Sequence, residues 1–498
     1  MKILIRWSTA LLIIFIFLFI GSYKYLSLHN WLFGSDIGSY DTILQETLKG
    51  NFGVEYTYGN SFGDHASFTL LFLLPFKLLL GPYMMNLLIL LTPLFYLICG
   101  FVILFYAKRK KEISWPVMLT GMLAFILHLS VFRGNYEEIY GFHIDTASGY
   151  VMVIFAFLLQ LHKEKRVNLK ILLVVIYTWF LFLKEEMALL GLVFFLVLWI
   201  FSRDRNYLLW VVATLFVFGL QILLISYFKT PFNRGNEVFL TRLFQRISEH
   251  STIGVLNEVP MNQFWNFILF YSITYGFLIL FQRINKIAFA LFVVALFKSA
   301  ICFVTHDYFF YSWHGFPALA LFSGAVILQA FYPVKSVYAK YNPVLLIMSI
   351  HVLILFISLR NDYEYSKVVR GSVHANKNYK EHVMPDLIKI KKLIPENHVL
   401  ALNHNLTVEF NDGYRYSMYP RGVNMLPSGI ADYVLINRKF KGASFLSIKL
   451  ADELVPDVRD EFDTLAVNES FILYKRIKPH HTKDRKLFIK FCGKQTLE

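Results

Sequence analysis

Acidic and histidine side chains of this 498-residue chain are gathered in a few short segments between long apolar runs. The first such segment contains Asp36, Asp41, Asp64 and His65. A carboxylate beside apolar helices can act as a general base or hold a metal ion. The alternative for each acid is a solvated loop residue. If a divalent metal ion is bound, its candidate ligands are Asp36, Asp64 and His65.

Two further polar segments stand directly before apolar runs. His143 and Asp145 begin one run, where they are either site residues or caps of a helix. The second segment is the triplet Lys184-Glu185-Glu186, a turn between two apolar arms of about 17 residues each, near the lower limit for a membrane span. Charges at membrane depth usually face a cavity or a partner. The triplet is therefore either part of a site or a self-paired structural turn.

The amino-acid composition indicates which structural elements position these residues. The chain is 56% hydrophobic and its mean hydropathy is +0.50, whereas a soluble domain has about 45–50% apolar residues. The excess falls in long apolar runs within residues 1–359, each close to the roughly 20 residues that cross a bilayer. We predict a mostly helical membrane domain, residues 1–359, and a small soluble α/β domain, residues 360–498.

Short segments rich in Lys and Arg set the predicted topology, because such segments stay in the cytoplasm. The segment 66–80 is apolar but short, and a crossing there would move the basic residues 108–111 outside. We therefore predict that it lies at the membrane surface, within a large first outer loop, residues 27–82. Eleven spans follow, which place the N-terminus inside and residues 360–498 outside. The predicted spans are 7–26, 83–106, 113–132, 146–162, 168–184, 185–201, 207–228, 263–281, 287–304, 315–333 and 343–359.

The net charge of +15 does not indicate a nucleic-acid partner, because much of it lies in the short loops that set topology and contact lipid headgroups. The three cysteines have no metal-site spacing, and the chain has no Walker-type glycine loop for ATP. In the soluble domain we predict a helix at 379–393 and strands at 398–403, 432–437 and 470–474. The basic tail, 475–494, either contacts anionic lipid or is solvated.

Several segments together resemble the bacterial membrane-protein family known as domain of unknown function 2079. In their order along the chain, they are 36–50, 63–65, 142–145, 184–186 and 431–435. The chain departs from the family pattern where Phe-Asp-Leu-Gly and His-Pro-Glu are usual: it has Ser35-Asp36-Ile37-Gly38 and His143-Ile144-Asp145. That family is similar to the GT-C glycosyltransferases, which have a large first outer loop with an essential Asp and use polyprenyl-phosphate-linked sugars as donors.

The resemblance implies a multi-pass glycosyltransferase of the bacterial cytoplasmic membrane, acting on an envelope acceptor at the outer face. Asp36 would be the general base, and Lys184 would bind the lipid phosphate. Asp64, His65 and His143 would line the sugar site or hold a divalent ion. The other predicted substrate-binding residues are Asp41, Asp145 and Glu185. The alternatives are a transporter or flippase, against which the chain shows no internal repeat, and a non-catalytic envelope assembly protein.

Overall fold

A computed structural model describes most of the membrane domain and the framework of the C-terminal domain. The residues it describes are 2–29, 36–55, 59–63, 65–110, 112–128, 142–164, 167–229, 261–304, 315–338, 342–361, 381, 383–395, 398–402, 406, 410, 415–418, 431–437 and 461–480.

Within these residues the membrane domain contains thirteen α-helices. They are α1 (Lys2–His29), α2 (Asp36–Leu48), α3 (Leu74–Leu80), α4 (Met84–Arg109), α5 (Trp115–Ile126), α6 (Ile144–Lys163), α7 (Lys170–Leu181), α8 (Glu185–Ser202), α9 (Arg205–Phe228), α10 (Met261–Phe281), α11 (Lys286–Val304), α12 (Phe316–Ala330) and α13 (Pro343–Asn361). Each of the eleven predicted spans overlaps one helix. Five described segments are long and apolar enough to cross a membrane by length and composition, so eleven crossings remain a prediction.

Local sequence explains where several helices begin and end. Arg203 adopts a left-handed conformation, φ 55°, and ends α8. The next residue, Asp204, accepts a hydrogen bond from the Asn206 amide at 3.0 Å and so caps the start of α9. Pro116 and Pro317 stand in the first turn of α5 and α12, where a missing amide proton costs nothing. These tight junctions let consecutive apolar helices pack side by side.

The predicted surface segment is a 3₁₀ helix, Phe68–Leu73, followed by α3. At roughly 1.5–2 Å per residue the two together are shorter than the roughly 30 Å of hydrocarbon. Gly81 follows at φ +53°, a conformation that favours glycine, and it separates α3 from α4. Leu78 and Leu79 of α3 are exposed, whereas Lys77 is buried. An apolar outer face on a short helix supports the prediction of a surface position.

Helices α6 and α12 approach each other closely at Gly149. A Cβ added to Gly149 of α6 would lie 2.7 Å from the Pro317 backbone of α12, closer than real Cβ contacts. A larger residue at this position would therefore force the two helices apart. The neighbouring side chains form one continuous apolar core that includes residues of α1, α4, α6, α8, α11 and α12.

The C-terminal domain contains five strands, β3 (Val399–Leu402), β4 (Arg415–Met418), β5 (Tyr433–Asn437), β6 (Phe462–Val467) and β7 (Phe471–Arg476). They form one sheet in the order β4-β3-β5-β7-β6. The pairs β3–β4 and β3–β5 are parallel, and β5–β7 and β6–β7 are antiparallel. The three predicted strands form β3, β5 and β7, and residues 383–391 are helical as predicted. The strands β4 and β6 were not predicted.

Asp432 lies in one of the segments that resemble the family, and its side chain has hydrogen-bond partners within the C-terminal domain. One carboxylate oxygen accepts a hydrogen bond from the Val399 amide at 2.8 Å, and the other contacts His480 Nε2 at 2.8 Å. Because Val399 begins β3 and Asp432 directly precedes β5, this side chain ties the starts of the two parallel strands together.

The first loop also contributes to the core of the C-terminal domain. Its two-stranded hairpin, β1 (Val54–Glu55) and β2 (Gly59–Asn60), places Val54 in one apolar cluster with Val383 and Leu387. Phe52, two residues earlier, packs on Phe228 at the end of α9 with ring centroids 5.3 Å apart. The hairpin therefore connects the end of a membrane-domain helix to the C-terminal domain, so both lie on the same side of the bundle.

The predicted topology has a direct test at Tyr83, which is 67% exposed beside the Gly81 break. Tyr83→Cys should react with a membrane-impermeant maleimide in intact spheroplasts. Glu112→Cys, on the predicted cytoplasmic side, should react only after permeabilisation. A Cys492→Ser background is suitable because Cys99 and Cys302 are buried. The reverse labelling pattern would show that the predicted orientation is wrong.

Candidate functional site

The Lys184-Glu185-Glu186 triplet lies at the junction of α7 and α8 and is buried. Lys184, Glu185 and Glu186 are 5%, 1% and 3% exposed. The backbone of the turn is also covered: Phe182 O accepts from the Thr69 amide at 3.1 Å, and Leu181 O accepts from Gln221 Nε2 at 2.7 Å. The first loop and α9 thus close over the turn, as expected from its two short arms.

Glu185 joins the first loop to the start of α8. One carboxylate oxygen lies 3.0 Å from His65 Nδ1, and the other accepts from the Ala66 amide at 3.1 Å. The structure therefore brings together two predicted site residues that are 120 positions apart. The His65 side chain is 35% exposed, whereas that of Glu185 is 2% exposed. The pair is therefore accessible only through His65. We call His65, Ala66 and residues 184–186 the loop–turn junction.

The Glu186 side chain contacts α11, whereas Glu185 contacts the first loop. The Glu186 carboxylate forms a buried ion pair with the Lys298 ammonium of α11. Sequence reasoning missed Lys298, although an ionisable residue within an apolar span is itself a signal of a partner. The two acids of the triplet thus have their direct partners on the first loop and on α11. This arrangement does not fit a turn in which Lys184 and the acids pair only with one another.

Asp41, another predicted site residue, ties α2 to α3. Both of its carboxylate oxygens accept from Lys77 Nζ at 2.9 Å, and Lys77 also donates to Gly81 O at 3.1 Å. Asp41 and Lys77 are 1% and 5% exposed. This pair anchors the short surface helix to the rest of the first loop, and it supports a positioning role for Asp41.

His143 stands at the start of α6, next to α2. Its ring lies 6.3 Å from the Tyr40 ring, and the Phe142 ring lies 5.4 Å from that of Tyr40, both edge to face. Asp36 is the first residue of α2, one helical turn before Tyr40. The first turn of α2, which contains Asp36, therefore lies near the start of α6. Tyr40 was not among the predicted site residues, and no motif in the sequence singled it out.

Several predicted site residues fall outside the described part of the chain. The structure describes the backbone of Asp36 and Asp145 but not their side chains, and Asp64 lies outside the described residues. Among the side chains that are described, no three His, Cys, Asp or Glu residues form a group that could hold a metal ion. The metal hypothesis for Asp36, Asp64 and His65 thus remains a prediction.

Comparison with solved structures shows the fold. The chain is similar to ArnT from Cupriavidus metallidurans, in a crystal structure bound to undecaprenyl phosphate, with a TM-score of 0.55 and 13% sequence identity. The match covers 93% of this chain and 98% of that chain. No protein-family model and no curated protein sequence matches the chain. The chain is therefore a polytopic helical membrane protein whose fold is similar to that of ArnT, and membership of the family named from its motifs remains a resemblance.

Proposed function

We propose that this protein is a membrane glycosyltransferase that moves a sugar from a polyprenyl-phosphate-linked donor to an envelope acceptor at the outer face of the bacterial cytoplasmic membrane. The likeness over 93% of the chain to a fold that binds undecaprenyl phosphate carries this proposal. The buried charges of the loop–turn junction support it, because charges at membrane depth usually face a cavity or a partner.

In the proposed reaction the Asp36 carboxylate takes the proton of an acceptor hydroxyl. The hydroxyl oxygen then attacks the anomeric carbon, and the bond from that carbon to the phosphate oxygen breaks. The bonding electrons leave with the polyprenyl phosphate. The Lys184 ammonium stabilises the charge on that leaving group, as preorganised cations do for transferred phosphate groups.

Two observations support an outer-face site formed by the first loop. The loop–turn junction contains both the first loop, through His65, and the start of α8, through Glu185. In addition, Val54 of the same loop packs in the core of the C-terminal domain. Together these contacts support a site on the same side of the bundle as the C-terminal domain.

Lys184→Met tests the phosphate-binding role. The change keeps most of the side-chain length and removes the charge. A lost charged contact is worth roughly 1.5–3 kcal/mol, so affinity for undecaprenyl phosphate should fall about ten- to a hundredfold. Binding is measured on purified protein in nanodiscs by native mass spectrometry, with the melting temperature as a second readout.

Lys170→Met is the matched control, since Lys170 begins α7 at the opposite end from Lys184. This variant should bind undecaprenyl phosphate as the wild type does. Unchanged affinity in Lys184→Met, together with a clear fall in melting temperature, would assign Lys184 to structure alone. Absence of saturable undecaprenyl phosphate binding to the wild type would refute the proposed function.

A further inference from the structure

Thr69, in the 3₁₀ helix of the first loop, lies beside the loop–turn junction. Its amide donates to Phe182 O at 3.1 Å. Three residues earlier, the Ala66 amide donates to the Glu185 carboxylate at 3.1 Å. These two hydrogen bonds hold the first loop along the turn between α7 and α8, and Lys184 stands between them in the sequence. Thr69 is therefore close to the lysine that is proposed to bind the donor phosphate.

The hydroxyl of Thr69 is buried and has no hydrogen-bond partner within the described part of the chain. The residue as a whole is 3% exposed. A buried hydroxyl without a partner costs free energy of folding, and native proteins contain few of them. Such a group beside a cluster of buried charges needs an explanation, and a ligand that supplies the missing partner is one.

The local backbone explains why the protein itself supplies no partner. A threonine inside a helix usually donates to the main-chain carbonyl one turn earlier. Thr69 is only the second residue of its 3₁₀ helix, so no helical turn precedes it. Other threonines within helices of this chain do make that hydrogen bond: Thr9, Thr47, Thr120, Thr214 and Thr274.

The surroundings of the Thr69 hydroxyl favour an anionic group with acceptor oxygens. Lys184 contributes a positive charge, and a hydroxyl can donate its proton to a phosphate oxygen in a charge-assisted hydrogen bond. The His65 side chain, which is 35% exposed, forms the accessible edge of this region. Because the hydroxyl is covered in the unliganded protein, a shift of the first loop at this edge admits the head group.

We propose that Thr69 is a further donor-binding residue, whose hydroxyl donates a hydrogen bond to a phosphate oxygen of the polyprenyl phosphate that Lys184 binds. This inference rests on the proposed function. It adds a residue that neither the motifs of the sequence nor the family resemblance singled out. The hydroxyl lacks a partner in the unliganded protein and gains one when the donor binds. Binding therefore removes a cost that the unliganded protein bears.

Two substitutions separate the hydroxyl from the shape of the side chain. Thr69→Val keeps the shape and removes the hydroxyl, whereas Thr69→Ser keeps the hydroxyl. Affinity for undecaprenyl phosphate is measured on the full-length protein in nanodiscs by native mass spectrometry. A hydrogen bond to a charged group is worth about a ten- to hundredfold in affinity, so Thr69→Val should weaken binding by that factor. Thr69→Ser should bind nearly as the wild type does.

The melting temperature without ligand is the second readout. It should be equal or higher in Thr69→Val than in the wild type, because the change removes a buried hydroxyl that lacks a partner. A structural role for the hydroxyl would instead lower the melting temperature and leave the affinity unchanged. Thr120→Val is the matched control, since the Thr120 hydroxyl donates to Pro116 O at 3.0 Å within α5. This variant should bind undecaprenyl phosphate as the wild type does.

Equal affinity in the wild type and Thr69→Val would overturn the inference and leave the proposed function intact. Equal losses of affinity in Thr69→Val and Thr69→Ser would also overturn it, because the hydroxyl would not be the cause. A wild type without saturable binding is a separate outcome, which would refute the proposed function and this inference together.

Discussion

Asp36→Asn is expected to reduce sugar transfer by roughly 10²–10⁴-fold, the usual contribution of a general base. Asparagine has nearly the same size as aspartate but cannot take the proton of the acceptor hydroxyl at neutral pH. Asp36 is the first residue of α2, where asparagine is also tolerated, so the protein should fold and insert normally. The expected defect is therefore chemical rather than structural.

The measurement uses cells that lack the native gene and carry the variant. Envelope glycans and lipid-linked sugars are quantified by mass spectrometry, and protein amount is measured by immunoblot. The variant should lose one envelope sugar and accumulate its lipid-linked form. Asp463→Asn, at an exposed position of β6, is the control and should behave as wild type. Wild-type glycans with Asp36→Asn at equal protein level would exclude Asp36 as the base.

Lys298→Met is expected to destabilise the protein by about 3–5 kcal/mol, the cost of leaving one charge of a buried ion pair without its partner. Lys298 and Glu186 have side chains that are only 1% and 4% exposed. Methionine matches the length of the lysine stem, so little packing is lost. Glu186 then either remains charged in an apolar setting or takes up a proton. Both outcomes weaken the contact between α8 and α11.

The double variant Glu186→Gln with Lys298→Met separates charge from packing. It removes both charges and should recover most of the lost stability, since neutral replacement of a buried pair is often tolerated. Lys286→Met is the control: Lys286 lies on the same helix and donates to Phe201 O at an exposed position. Unfolding is followed in detergent by thermal and denaturant titration. A double variant as unstable as Lys298→Met would contradict the ion-pair explanation.

The membrane domain was largely predictable, because an apolar run long enough to span a bilayer has few other folded forms. The break at residue 81 was also predictable, from Gly81-Pro82. In the C-terminal domain, the predicted strands are the apolar ones. β6 reads Phe-Asp-Thr-Leu-Ala-Val, and its side chains are mostly exposed, so no buried pattern marks it. β4, with Arg415 and Ser417, carries an equally weak signal.

The pairings at the candidate site could not be predicted from one sequence. Glu186 and Lys298 are 112 positions apart, and His65 and Glu185 are 120 apart. Their partnership depends on which helices become neighbours, and local periodicity does not encode that. The resemblance to a family indicated individual residues, including His65 and Glu185, but did not indicate which of them are in contact.

The packing of Val54 against Val383 and Leu387 has a consequence for synthesis. At the usual 5–20 residues per second, about 330 residues separate the emergence of Val54 from that of its partners, a delay of roughly 15–65 s. In the predicted orientation the hairpin crosses the membrane early, so its apolar side chain is uncovered during this interval. A part of the chain that is made much later thus completes the packing of the first loop, so a ribosome that stops before residue 383 leaves Val54 without these partners.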